Sequence, residues 1–186
     1  GGFLLNIHNR TIPEVQALLR TEETASEQLL VAMEQDSRIG IQKLLKRYYR
    51  KQEALRKKQE KAEKLLKYER KFWAQGYTYL GGVDEAGRGP LAGPVVSACV
   101  ILPKDLIILG IDDSKKLTAN KREELFEQIS NNAVAMGVGI VENSRIDKVN
   151  IYNATKEAMA QAITACNLQP HYLLLDAMRL QDISIP

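Results

Sequence analysis

Residues 80–94 read Leu80-Gly81-Gly82-Val83-Asp84-Glu85-Ala86-Gly87-Arg88-Gly89-Pro90-Leu91-Ala92-Gly93-Pro94. An apolar opening runs into two adjacent carboxylates, Asp84 and Glu85, and a Gly87-Arg88-Gly89 turn follows at once. Carboxylates bind hard divalent cations through oxygen. Bare glycine amides and a guanidinium suit a phosphate. A cation site abutting a phosphate site is the layout that metal-assisted cleavage of a phosphodiester requires. A lone Asp at a strand end is more often a turn or cap residue. Two carboxylates joined to Gly-Arg-Gly make that plain reading the weaker one.

Downstream of Gly76 the chain alternates between strand-like and helical stretches. Tyr77–Asp84 reads as a first strand and Val95–Leu102 as a second, ended by Pro103. Thr118 caps a helix that reaches about Asn131, and Ala133–Glu142 is a third strand. Ser144–Val149 reads as a short helical turn and Ile151–Ala165 as a longer helix. His171–Asp176 is a fourth strand, its Leu173-Leu174-Leu175 centre pointing to burial on both faces. Three strands, then a helix, then a strand give an α/β layer pattern. If the fourth strand pairs in parallel beside the first, Asp84 and Asp176 open at one sheet edge, where open α/β sheets build their sites. The two then bracket a cation, and Glu85 joins them only if the strand ends beside it.

Upstream, residues 1–76 read as a helical extension and residues 77–186 as the catalytic domain. Thr11-Ile12-Pro13-Glu14 is a helix start with Thr11 as cap. A second helix around Ser26–Met33 places Leu29, Leu30 and Met33 on one side, and Asp36-Ser37-Arg38 opens a long basic helix from about residue 39 to 72. Within it Ile41, Leu45, Tyr48, Gln52, Leu55, Gln59, Ala62 and Leu66 recur at heptad spacing. They fit a coiled-coil seam or, with so few apolar residues in the middle, a solvated basic helix anchored at its ends. From Arg38 to Lys71 there are 14 Lys/Arg against 4 Glu, a net of +10, whereas the rest of the chain is net −7. Such a helix can lie along a nucleic-acid backbone, where lysines add salt-dependent, sequence-independent affinity.

Asp112-Asp113-Ser114-Lys115-Lys116-Leu117 reads either as an exposed turn or as a phosphate contact made by Ser114 and Lys115 beside the next helix. Asn150 and Tyr152 read as capping and packing residues, and His8 and His171 as structural or exposed. Cys99 and Cys166 lack metal-ligand spacing and read as buried reduced thiols. No apolar run approaches the ~20 residues of a membrane span, and the start of the chain lacks the basic flank and apolar core of a signal peptide. These features lead to the expectation of a cytoplasmic protein with no membrane association.

The residue pattern resembles bacterial ribonuclease HII. Val83-Asp84-Glu85-Ala86-Gly87-Arg88-Gly89-Pro90-Leu91-Ala92-Gly93-Pro94-Val95 is similar to that family's opening motif, Asp113-Ser114-Lys115-Lys116-Leu117 and Asn150-Ile151 to its next two, and Tyr172-Leu173-Leu174-Leu175-Asp176 to its fourth-strand motif. The basic helix resembles the N-terminal extension of some members. The resemblance implies an RNase H-like mixed sheet, with strands 1–3 antiparallel and strand 4 parallel to strand 1. It implies an endoribonuclease acting on RNA–DNA hybrids and on ribonucleotides embedded in duplex DNA, with no obligate protein partner. Asp84, Glu85 and Asp176 would be three of four metal-binding carboxylates for two Mn2+ or Mg2+ ions, and the products would carry 5′-phosphate and 3′-hydroxyl ends. Gly87, Arg88 and Gly89 would read the ribose 2′-hydroxyl and its phosphate.

The family pattern continues with a fifth strand, the fourth carboxylate and further helices, which these 186 residues lack. Asp182 does not match the missing carboxylate. The chain is therefore expected to resemble a C-terminally truncated member, to have little activity by itself, and to leave apolar surface uncovered near Leu173–Leu175. Two alternatives are a nucleic-acid-binding fragment with an inert, half-formed metal site and an RNase H-fold nuclease of different specificity.

Overall fold

A computed structural model describes residues 6–21, 25–89, 93–176, 178, 180 and 183–186. The chain divides into two compact units, Gly1–Glu60 and Lys61–Pro186.

The first unit holds α1 (Ile12–Thr21), α2 (Glu27–Glu34) and most of α3 (Ile39–Leu65). Its helix starts are set by side chains. The Thr11 amide donates to Glu14 Oε2 at 2.6 Å while the Glu14 amide donates to Thr11 Oγ1 at 3.4 Å, a reciprocal cap that satisfies two otherwise orphaned donors. Ser26 Oγ accepts from the Leu29 amide. Ile7, Val15, Leu29, Met33, Ile41 and Leu45 form the core. Along α3 the heptad seam does not close: Leu55 is 39% exposed, and Arg56 spans Glu53 and Glu60 in solvent. A further difference from the sequence expectation is a break at Leu66, after which α4 (Lys67–Ala74) begins. Beyond the break Leu66 and Trp73 line a cavity with Leu80, Leu102, Pro103 and Ile129, which an unbroken solvated helix has no reason to do.

Asp36 is buried, at 1% exposure, and holds this unit's turn together. Its carboxylate accepts from Arg38 Nη2 at 2.6 Å and from the Arg38 amide at 2.9 Å, while the same guanidinium donates to the Ile7 and Arg10 carbonyls. The Arg38 hydrogen bonds outweigh burial and draw the Asp36 carboxyl down to about 2. A depressed carboxyl stabilises the fold above the ordinary carboxylate range, and that contribution disappears as pH falls through the folded-state value. Native NMR signals of Val15 and Ile41 are therefore expected to fade between about pH 4 and 2. Asp36→Asn should start less stable and lose this acid step; an unchanged acid step in that variant would show that another group causes it.

In the second unit the order β3-β2-β1-β4 makes a four-stranded mixed sheet. Its strands are β1 (Leu80–Ala86), β2 (Val95–Ile101), β3 (Ala135–Val141) and β4 (Tyr172–Leu175), with α5 (Ala119–Asn132) and α6 (Asn143–Ala165) between them. β1 pairs antiparallel with β2 and parallel with β4, and β2 pairs antiparallel with β3. The expected strand arrangement is what forms. Alternation along the strands buries Val83, Val95, Cys99, Ile101, Val141 and Leu173, and α6 packs on this side of the sheet through Ala154, Ala158, Met159, Ala162 and Ile163. Gly137 and Gly139 let the helix come close: a Cβ on either would sit 2.1 Å from the Ala162 carbonyl oxygen or 2.0 Å from that of Ala158.

α6 is two pieces joined at Asn150, whose φ of 69° breaks the helix. Asn150 Oδ1 accepts from the Asn153 amide and so caps the second piece. Cys99 and Cys166 are free and buried, and the Cys166 thiol lies 3.5 Å from the Cys99 carbonyl oxygen. Burial, then the neighbouring thiol, pushes Cys99 up to about 12, so it stays protonated and inert at neutral pH.

Among the described residues no fifth strand forms. The expectation of uncovered surface near Leu173–Leu175 is corrected, because Leu180, Ile183 and Ile185 pack on the same cluster as Leu173 and Leu175. The Leu173 amide donates to the Pro186 carbonyl oxygen at 2.8 Å, which occupies part of the outer edge of β4. No helix among the described residues is long and apolar enough to cross a membrane.

Candidate active site

β1 does not end at Asp84 as the sequence suggests. Asp84, Glu85 and Ala86 remain paired with Ala98, Ser97 and Val96 of β2. β4 does end at this level, its last registered pair being Leu175 opposite Val83. Asp84 and Asp176 are the next residues on these two parallel strands. By strand alternation Asp84 follows Leu80 and Gly82 on one face, while Asp176 comes directly after the last residue of β4. The two carboxylates therefore follow directly on the last registered pair of these strands, and both are exposed.

Glu85 falls on the other face, the one α6 covers. Its side chain is 14% exposed, and Oε1 accepts from Arg88 Nη1 at 2.8 Å. Asp84 Oδ1 accepts from the Glu85 amide at 2.8 Å, which orients one carboxylate with the backbone of the other. Gly87 turns the chain back immediately. Its φ is +92°, and a Cβ there would lie 2.4 Å from the Pro94 carbonyl oxygen. That reversal brings Arg88 onto Glu85. Gly89 is open, with nothing within 4 Å of a Cβ position. Pro90, Leu91 and Ala92 of the motif lie outside the described residues, as does Asp182.

Oxygen donors alone, two of them exposed on adjacent segments of the sheet edge, suit a hard divalent cation such as Mg2+ or Mn2+. Asp84 and Asp176 fit that role. Glu85, turned to the other face and held by Arg88, does not join them, and among the described residues no three His, Cys, Asp or Glu side chains converge on one point.

Ser114 and Lys115 lie on a 3-10 turn, Ser114–Lys116, and both are exposed. Among the described residues no hydrogen bond or ion pair joins them to Asp84, Glu85 or Asp176. Sequence reasoning missed what holds this turn. Arg122 Nη1 donates to the Leu117 carbonyl at 2.8 Å and to that of Ser114 at 3.3 Å, and Lys61 Nζ lies 2.5 Å from Asp112 Oδ2. Lys61 first, then the Asp113 amide, holds the Asp112 carboxyl below the usual range. One signal was legible: Lys121 and Arg122 crowd the start of α5, where the helix dipole disfavours cations, so at least one needed another partner. His171 is structural, its Nδ1 accepting from the Thr78 amide at 3.3 Å.

Comparison with known proteins places these motifs in context. The family model described as ribonuclease HII matches residues 81–184, and that described as the ribonuclease HII N-terminal domain matches residues 11–73. A curated protein named ribonuclease HII from Desulfitobacterium hafniense is 48% identical over 180 residues, covering 97% of this chain and 68% of its own length. One of the same name from Geobacillus thermodenitrificans is 49% identical over 168 residues, covering 90% of this chain and 65% of its own. Among solved structures, the ribonuclease H2 from Pyrococcus horikoshii matches at a TM-score of 0.48 and 29% identity, over 56% of this chain and 51% of that one.

Proposed function

This chain belongs to the ribonuclease HII family, and from that premise we propose that its site hydrolyses phosphodiesters of RNA paired with DNA and at ribonucleotides embedded in duplex DNA. The observation that carries the reading is that Asp84 and Asp176 each follow directly on the last registered pair of the parallel strands β1 and β4, Val83 opposite Leu175, with Gly87-Arg88-Gly89 just beyond Asp84. Mn2+ or Mg2+ would be held by Asp84 and Asp176, and by Glu85 once the end of β1 unpairs from β2 and its carboxylate leaves Arg88. Such ions, two of them in the full proposal, supply Lewis-acid stabilisation and an activated water. Gly87 and Gly89 would offer backbone amides and Arg88 its guanidinium to the ribose 2′-hydroxyl and the adjacent phosphate. Ser114 and Lys115 would contact the backbone further along. The products would be 5′-phosphate and 3′-hydroxyl ends.

The family matches at 11–73 and 81–184 support the proposed division into a helical extension, 1–76, and a catalytic domain, 77–186. The proposal includes a cytoplasmic location, a nucleic-acid substrate and no obligate protein partner. It also includes low turnover by this chain, in keeping with Glu85 being turned away from Asp84. A second reading has its own support: because the three carboxylates do not converge, the chain would bind nucleic acid around an inert metal centre.

One assay separates the two. With Mn2+ and a duplex carrying a single ribonucleotide, a nick on the 5′ side of that ribonucleotide is expected, with none in the all-DNA duplex. Arg88→Ala should erase that discrimination. Salt-sensitive binding with no nick supports the second reading. A chain that neither binds nor cuts overturns both.

A further inference from the structure

We propose that Asp112 is a positioning residue: gripped by Lys61, it fixes the Asp113–Leu117 turn so that Ser114 and Lys115 present to a nucleic-acid phosphate. The inference rests on the reading of that turn as a substrate contact.

A carboxylate beside a surface meant for a polyanion is electrostatically misplaced, since it repels the ligand. Asp112 is therefore either incidental or there for another purpose, and its contacts favour the purpose. Its Oδ2 lies 2.5 Å from Lys61 Nζ in the last turns of α3. Its Oδ1 accepts from the Asp113 amide at 2.8 Å and faces Lys116 Nζ at 3.9 Å. Asp113 Oδ1 in turn accepts from the Lys115 amide at 3.0 Å. From the far end, Arg122 takes the Ser114 and Leu117 carbonyls. The turn is held at both ends by side chains, Asp112 through its ion pair with Lys61 and Arg122 through two backbone carbonyls. Between those ends Ser114 and Lys115 stand exposed, and among the described residues the Lys115 ammonium makes no ion pair.

The sign of one effect tests this. Removing a negative charge near a polyanion site strengthens binding if charge alone matters. If Asp112 sets the turn, Asp112→Ala weakens it instead. Fluorescence anisotropy of a labelled RNA–DNA hybrid with the full chain, in EDTA and at one fixed salt concentration, reads the difference. Asp112→Ala is expected to weaken binding about two- to fivefold, the scale of a partly exposed ion pair. Lys61→Met should weaken it, Lys61→Arg should keep native affinity, and adding Asp112→Ala to Lys61→Met should cost nothing further. Thermal midpoints of all variants should match the native one, which excludes simple loss of fold. Binding by Asp112→Ala as tight as native, or tighter, overturns the proposal. If Lys115→Ala also leaves affinity unchanged, the turn is not a contact and the underlying reading fails with it. If Lys115→Ala weakens binding and Asp112→Ala does not, the contact stands and only the positioning role is lost.

Discussion

Asp84→Asn is expected to lower Mn2+-dependent cleavage of a ribonucleotide-containing duplex by at least about a thousandfold, since the charge stabilisation a bound metal supplies is worth several kcal/mol. Affinity for the same duplex in EDTA should stay equal or tighten, because the substitution removes a negative charge beside a polyanion. The opposite directions matter, since a misfolded variant would lose both. Asp176→Asn should behave alike, because Asp176 and Asp84 each follow directly on the paired residues Leu175 and Val83. Combining the two should cost little beyond either alone, as groups acting as one unit do not add. If native turnover is too slow to follow, a Mn2+ titration replaces it: the native chain should bind the ion and Asp84→Asn should not. Undiminished Mn2+ binding by both variants would remove these residues from the metal site.

The second large effect is on folding. Gly139→Val is expected to cost at least about 3 kcal/mol, enough to remove most of a typical domain's stability. The Cβ alone would lie 2.0 Å from the Ala158 carbonyl oxygen and 2.7 Å from Gln161 Cβ. Neither neighbour can retreat, because Ala158 belongs to the helix backbone and Gln161 Oε1 accepts from the Ile140 amide at 3.1 Å. Urea unfolding is the measurement, with Gly89→Ala as the contrast, since a Cβ there meets nothing within 4 Å. A native-like midpoint for Gly139→Val would mean that α6 does not pack on β3 as described.

The strands were legible because apolar alternation and turn residues mark each of them, and the Thr11 and Thr118 caps because their side-chain chemistry is local; the order of the strands came only with the family resemblance. Asn150 was legible as a cap, though its left-handed backbone was not. What sequence periodicity does not carry is where pairing stops. Asp84 ends the apolar run, but Val96, Ser97 and Ala98 keep β1 paired through Ala86, so Glu85 is committed to the face opposite Asp84. The break at Leu66 was hidden for a similar reason: Lys, Glu and Leu are good helix formers there, and what Leu66 and Trp73 pack beside lies far along the chain. Lys61 and Asp112 are 51 residues apart, and no local signal joins them.

Gly87 bears on how this family's specificity can be dissected. Its left-handed backbone and its approach to Pro94 are needed to fold the loop whether or not substrate is present. A screen of variants would score this position as intolerant, and that score would speak of chain reversal rather than of ribose recognition. Arg88 also answers to the fold through its ion pair with Glu85, whereas Gly89 meets nothing, so a substitution at Gly89 tests the proposed contact of the loop without that confounding demand. Gly87 is the fixed pivot about which such changes are made.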